Sequence, residues 1–148
     1  MGVELDDKDK QILEILKNHS DYTTRQIAKK TLIPPTTINN RIRKLKQLGI
    51  IKRYTIDVDD SKIGRGFKAY ILISANLLLL KKEHRTQYDL AKSLKKLDFV
   101  ERVDIVSGGT DMVATVKVES VSEFDKALLG KIQGIEGIDK TQSLIVIH

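Results

Sequence analysis

The sequence contains no cysteine and no tryptophan, only two prolines, and no apolar run of the roughly 18 residues needed to cross a bilayer. The absence of cysteine excludes a disulfide framework and a thiolate metal site. The absence of a long apolar run excludes a transmembrane helix. The chain begins with the acidic stretch "MGVELDDKDK" rather than the apolar stretch of a signal peptide. We therefore expect a cytoplasmic protein with no membrane partner.

The sequence also has little that could perform catalysis. Its three histidines, His19, His84 and His148, lie far apart and have no metal-ligand spacing, so we expect neither a metal nor a cofactor. The glycines of "GRG" are too few for a nucleotide loop, and "SGGTD" lacks the Lys-Ser/Thr pair of a P-loop. Small ferredoxin-like domains can be catalysts, but these observations predict that the protein is not an enzyme.

Acidic residues are missing from one segment, and positive charge is concentrated there. Between Asp21 and Asp57 there is no Asp or Glu, although the net charge of the whole chain is only +6. The cations of this segment are Arg25, Lys29, Lys30, Arg41, Arg43, Lys44, Lys46, Lys52 and Arg53. An ordinary charged helix surface interleaves Glu with Lys. The local excess instead favours a polyanion site, such as one for double-stranded DNA.

The residues around this segment show the spacing of three short helices. The first follows Asp6 and ends near Asn18, with acid in its first turn to suit the helix dipole. Thr23 begins a capping box for a second helix, which runs to about Thr31. The third begins at Pro35, since proline is best tolerated at the first helical position, and it ends at a glycine.

The third helix has a polar face that is suited to DNA. At about 100° per residue, Ile38, Ile42 and Leu45 share its core side. Asn40 and Arg43 lie opposite, and these residue types pair with adenine and guanine edges in the major groove. A helix-turn-helix is therefore predicted, with the third helix as the recognition helix. Its predicted DNA-binding residues are Arg25, Pro35, Thr36, Thr37, Asn39, Asn40, Arg43, Lys44, Gln47, Lys52 and Arg53.

Three details of this unit go beyond the helix pattern. "GIIKRYTIDVD" alternates apolar and polar residues and predicts a strand or small wing, whose Lys52 and Arg53 reach phosphate. Arg41 lies about 60° from the core centre of its helix, so it either pairs with an acid of the first helix or touches DNA; we favour the pairing. Pro34 has no side-chain oxygen to cap the third helix, and we hypothesise that a DNA phosphate supplies the cap.

The second half of the chain has a different periodicity. "FKAYILISA", "FVERVDIV", "MVATVKV" and "IDKTQSLIVI" predict four strands. "RTQYDLAKSLKKL" and a segment capped by Ser122 and closed by Gly134 predict two helices. The order βαββαβ is that of a ferredoxin-like unit, so the fold class is α+β. We place the DNA-binding domain with its linker strand at residues 1–62 and the ferredoxin-like domain at residues 63–148.

Both faces of the predicted sheet are apolar. In the first strand, Tyr70 and Leu72 point opposite to Ile71 and Ile73. The two helices can cover only one face, so we expect a second copy of the domain to cover the other. A homodimer or higher homo-oligomer would also allow two recognition helices to read a palindrome.

Five stretches carry a resemblance to a known family. They are "LDDKDKQILEIL", "TTRQIAKKTLIPPTTINNRIRKLKQLGIIKRYTIDVD", "KIGRGFKAYILI", "VERVDIVSGGTDMVATVKV" and "IEGIDKTQSLIV". In order and spacing the sequence resembles the Lrp/AsnC, or feast/famine, transcription regulators. The resemblance implies a DNA-binding domain followed by an effector and oligomerisation domain, and commonly an amino-acid effector. Two departures are Pro34, where the family usually has Ser, and the longer, more apolar connection "NLLLLKKEHR".

The resemblance also implies an effector site at a contact between dimers. Its residues in this sequence are Gly108, Gly109, Asp111, Thr141 and Ser143. Amides of "SGG" could receive an α-carboxylate, and the Asp111 carboxylate an α-ammonium. Alternatively, Asp111 only caps its hairpin. A second alternative concerns the whole protein, which would then be an architectural DNA binder without an effector, with sequence-tolerant and strongly salt-dependent binding.

Overall fold

The computed structural model describes residues 2–147. The described residues divide into two compact units between Asp57 and Val58. Each unit has its own buried apolar cluster. The DNA-binding prediction concerns the first unit, and the effector prediction concerns the second.

The first unit consists of three helices, α1 (Asp7–Asn18), α2 (Thr24–Thr31) and α3 (Pro35–Gln47). Their apolar faces meet in one cluster that contains Ile12, Leu16, Ile27, Ile33 and Ile38. Because α3 buries Ile38 and Leu45, its Asn- and Arg-bearing side is turned to solvent. The predicted three-helix arrangement is confirmed.

The helix ends follow the capping residues of the sequence. Asp6 caps α1 by accepting the Asp9 N–H at 2.9 Å. Thr23 and Gln26 form the predicted capping box of α2. The chain leaves α3 through Gly49, whose φ of +70° is a conformation that glycine adopts readily.

Residues 52–59 form no regular secondary structure. The predicted short strand therefore does not form in the described chain. A strand is stabilised by a neighbour that shares its backbone hydrogen bonds, and the first unit contains only helices. Ile56 is 81% exposed in this segment, so its alternating apolar residues lack a partner within one chain.

The second unit is a four-stranded antiparallel sheet with helices on one face. After a 3₁₀-helix at Asp60–Ile63 come β1 (Phe67–Ala75), α4 (Leu77–Lys82), α5 (Gln87–Lys95), β2 (Val100–Ile105), β3 (Met112–Val118), α6 (Val121–Ala127), which continues as a π-helix at Leu128–Ile132, and β4 (Ile138–Ile145). The strand order is β2-β3-β1-β4. This is the predicted ferredoxin-like arrangement, with α4 as an addition.

The two faces of the sheet differ in burial. Ile71 and Ile73 of β1 are fully buried in one cluster with Leu90 of α5 and Phe124 of α6. On the opposite face Tyr70 is 37% exposed, and its β4 neighbour Leu144 is 45% exposed. Helices thus cover one apolar face of the sheet, as predicted, while Tyr70 and Leu144 on the other face remain partly exposed.

Two details of the second unit differ from the sequence prediction. The connection after β1 folds into α4, because Asn76 accepts the Leu79 N–H at 3.0 Å and Leu80 is buried beneath it. The predicted Ser122 cap is wrong, since Ser120 accepts the Glu123 N–H at 3.2 Å and α6 begins at Val121. Both serines are followed three residues later by an acid, so spacing alone could not choose between them.

Candidate nucleic-acid interface and effector site

The solvent face of α3 presents hydrogen-bonding side chains that have no partner within residues 2–147. Asn39, Asn40 and Arg43 are exposed and make no intramolecular hydrogen bond or ion pair there. Lys44 and Gln47 continue the same face toward the end of the helix. The face contains no acidic residue. It can donate to base edges and phosphates without first breaking contacts within the protein.

The start of α3 leaves backbone donors without partners. Pro34 is the N-cap, with φ −58° and ψ 141°, and it makes no side-chain cap. Pro35 has no N–H. The first backbone N–H of the helix that makes an intrahelical hydrogen bond is that of Ile38, which donates to the Pro34 carbonyl at 3.1 Å. Within residues 2–147 the amides of Thr36 and Thr37 are therefore open to an external acceptor.

The remaining predicted DNA contacts lie at the edges of this face. Arg25 is exposed in the first turn of α2. Lys52 and Arg53 are exposed in the extended segment that follows α3. Near them, the Lys46 ammonium lies 4.8 Å from the centre of the Tyr54 ring.

Arg41 is bound within the protein. Its Nη1 lies 2.6 Å from Asp6 Oδ1 and 2.9 Å from Asp9 Oδ1, and Asp9 is only 2% exposed. The hydrogen bond from Arg41 lowers the pKa of Asp6 from 3.8 to about 2. The same two carboxylates raise the pKa of Arg41. The favoured pairing with the first helix is what the structure shows, and it anchors α3 to the start of α1.

In the second unit, Asp111 is held by four neighbours, one of which is Val106, whose N–H donates to the Asp111 carbonyl at 2.9 Å. Its Oδ2 accepts the Ala75 N–H at 2.8 Å, and its Oδ1 accepts from the Gln87 side-chain amide at 2.9 Å. Its own N–H donates to the Ile73 carbonyl at 3.0 Å. Gly108 and Gly109 lie exposed in the same turn. The carboxylate thus bonds to the end of β1 and to α5 rather than capping its own hairpin, and each carboxylate oxygen retains a lone pair for a ligand.

Thr141 and Ser143 lie on β4, across β1 from this turn. Thr141 pairs with Ile73 in the sheet, and its Oγ1 accepts from the Gln133 amide at 3.0 Å. Ser143 pairs with Ile71. Two strand spacings, about 10 Å, therefore separate Thr141 from the end of the 108–111 turn, and Ser143 lies farther along the strand. A single chain places the two sets at one sheet without bringing them into contact.

Sequence reasoning missed Gln87, which ties α5 to the turn. Gln87 is the first residue of α5, a position that the capping box of Thr86 and Asp89 fixes next to the turn. It also missed the ion pairs of Lys117, whose Nζ lies 2.5 Å from Asp60 and 2.9 Å from Glu101. These acids raise the pKa of Lys117. Such contacts join residues distant in sequence, so periodicity carries no signal for them.

Two other classes of site are absent from the described residues. No cluster of three or more His, Cys, Asp or Glu side chains in residues 2–147 is placed to hold a metal ion. No helix in the same range is long and apolar enough to span a membrane.

Comparison with known families matches both units. Residues 5–52 match the family of winged helix-turn-helix DNA-binding domains, and residues 75–148 match the Lrp/AsnC ligand binding domain. The chain is also 33% identical to the HTH-type transcriptional regulator FL11 of Pyrococcus horikoshii, over 99% of this chain and 92% of the relative.

Solved structures show the same architecture. Escherichia coli AsnC aligns with a TM-score of 0.82 and 29% identity, covering 99% of this chain and 94% of the other. A transcriptional regulator of Neisseria meningitidis, NMB0573, solved as an L-Met complex, aligns with a TM-score of 0.88 and 22% identity, covering 98% of this chain and 91% of that one. At that identity the second likeness establishes the fold alone.

Proposed function

The chain belongs to the Lrp/AsnC family of transcription regulators, and we propose which of its residues contact DNA and which kind of small molecule regulates DNA binding. It is a helix-turn-helix transcription regulator with a ligand-binding domain. We assign the DNA-binding domain and its linker to residues 1–62 and the effector and oligomerisation domain to residues 63–148. As a regulator rather than an enzyme, it would act in the cytoplasm on chromosomal DNA.

The proposal depends chiefly on the outer face of α3. Asn40 and Arg43 present side-chain donors that have no partner within residues 2–147. Placed in the major groove, they would read adenine and guanine edges, while Lys52 and Arg53 would contact phosphates. A further phosphate would cap α3 by accepting from the amides of its first turn, in place of the side chain that Pro34 lacks.

A homodimer accounts for the uncovered face of the sheet. Tyr70 and Leu144 are exposed neighbours there, and a second sheet packed on them would remove both from water. The twofold symmetry of such a dimer would present two α3 helices to a palindromic operator.

A small molecule with the groups of an amino acid is proposed as the effector. Exposed Gly108 and Gly109 leave backbone amides for a carboxylate, and Asp111 can accept from an ammonium. Thr141 and Ser143 lie too far from this turn to join it within one chain, so they would contribute from another copy. The Neisseria regulator was solved as an L-Met complex, which makes L-methionine the first amino acid to test.

Selection of bound DNA from a random pool, with and without a mixture of the twenty amino acids, tests both proposals. We expect a palindromic motif and a change in its recovery when amino acids are present. A preference below roughly a hundredfold over random DNA would instead indicate an architectural binder. A recovered motif that no amino acid alters would keep the DNA proposal and overturn the effector proposal.

A further inference from the structure

A cavity of about 470 Å³ lies in the second unit, away from the proposed effector turn. Its walls come from the segment before β1, the turn between α5 and β2, the end of β3, and α6 with the following π-helix. Asp111 and Lys117 stand at opposite ends of β3, about 20 Å apart at the rise of an extended strand. The cavity is therefore separate from the 108–111 turn. Its volume falls within the range of small-molecule pockets.

Three cations that line the cavity are unpaired. Arg65 precedes β1, Lys126 and Lys131 lie on α6 and the π-helix that continues it, and none of the three has an acid within 4.0 Å in residues 2–147. The Lys131 ammonium lies 5.4 Å from the centre of the Phe99 ring, which holds its charge over an apolar wall. It is carried by a π-helix, a rare element that is frequent at functional sites.

The other lining groups limit what could bind. Lys117 is already paired with Asp60 and Glu101, and a carboxylate oxygen of Glu123 accepts the Glu119 N–H at 2.7 Å. Asp98, Glu119 and Glu123 have no cation within 4.0 Å in the described chain, so these three carboxylates would repel a ligand with several negative charges. The apolar part of the lining consists of Ile63, Phe99, Val118 and Ala127.

We propose that this cavity is a second ligand site, which takes a small monocarboxylate with an aliphatic body. The carboxylate lies among Arg65, Lys126 and Lys131, where charge-assisted hydrogen bonds hold it. The aliphatic body lies against Phe99 and Val118, which are almost fully buried beneath the cavity. The inference goes beyond the proposed effector turn and does not depend on it.

The test is a direct titration of the full chain with 4-methylpentanoate, by calorimetry or by NMR, without DNA. We expect saturable binding at millimolar concentrations or below. Replacing both lysines, Lys126→Gln with Lys131→Gln, should weaken binding by about tenfold or more, since two charged donors are lost. The matched control replaces two exposed lysines of α5 outside the lining, Lys92→Gln with Lys95→Gln, and should change binding less than twofold.

An Asp111→Asn variant distinguishes the cavity from the turn. It should leave this binding unchanged, because Asp111 is not among the lining residues. Binding that disappears in Asp111→Asn, that survives the Lys126/Lys131 pair unchanged, or that is absent altogether would overturn the inference. None of these results bears on the pool selection, so the two proposals can fail separately.

Discussion

The outer face of α3 and the turn around Asp111 both present polar groups, but they differ in what those groups already contact. The side chains of Asn40 and Arg43 have no partner within residues 2–147, and the helix beneath them is held by apolar contacts and by Arg41. Asp111 is bonded to Ala75, Gln87 and Ile73. Substitutions on the outer face of α3 should therefore change binding without changing stability, whereas substitution of Asp111 should change both.

The largest effect on DNA affinity is expected from substitutions on the outer face of α3. Asn40→Ala or Arg43→Ala should cost about 1 to 3 kcal/mol of DNA affinity, roughly 5- to 150-fold, and should relax specificity at one base pair. The melting temperature should not change. The measurement is titration of the selected operator and its single-base variants. Lys8→Ala, which removes an exposed cation of α1, is the control. Wild-type affinity in both α3 variants would exclude α3 as the reader.

Asp111→Ala should lower the stability of the second unit by roughly 1 to 2 kcal/mol, because the Ala75 N–H and the Gln87 amide lose their acceptor. Chemical denaturation measures the loss. Gly109→Ala is the matched control, since an added Cβ meets nothing within 4 Å there. Equal stability of both variants would mean that the Asp111 carboxylate, like the outer face of α3, contributes nothing to the stability of the fold.

Pro34→Ser should stabilise the first unit by about 1 kcal/mol, because serine supplies the missing N-cap oxygen. If a DNA phosphate occupies that position in the complex, affinity for DNA should change little or fall. Thermal unfolding and DNA titration of the same variant provide both readings. A clear gain in affinity would contradict the phosphate cap.

Lys52→Ala should weaken binding to all sequences alike and reduce the slope of log K against log salt by about 1. The measurement is binding at several salt concentrations to operator and random DNA. A loss confined to the operator would assign Lys52 to base reading instead.

The smallest effect concerns the pH dependence of the Arg41 contact. Since the folded-state pKa of Asp6 is lowered to about 2 from 3.8, its contribution to stability is present above 3.8 and is lost as pH falls through about 2. Asp6→Asn should be less stable than wild type at neutral pH and should approach it in acid. Melting temperatures measured across this pH range check it. A constant difference down to the lowest pH would assign the effect to something other than this carboxylate.

The contrast between the two regions also explains what the sequence could predict. Periodicity and capping predicted β1 and β3 at their observed bounds, the start of α3 and the pairing of Arg41, because those features depend on neighbouring residues or on one helical face. The contacts of Gln87 with Asp111 depend on how distant elements meet, and no local pattern encodes them. The strand after α3 did not form, since alternation describes a strand but does not provide its partner.

The ion pairs of Arg41 also determine how much of the first unit must be transferred if its DNA-binding helix is grafted onto another protein. Its guanidinium links the middle of α3 to the residues that open α1, so the direction in which α3 projects is set partly from outside the two-helix motif. A graft of α2 and α3 alone onto another scaffold would leave this cation without its two carboxylates. The smallest segment that could be grafted with this contact intact therefore begins at Asp6.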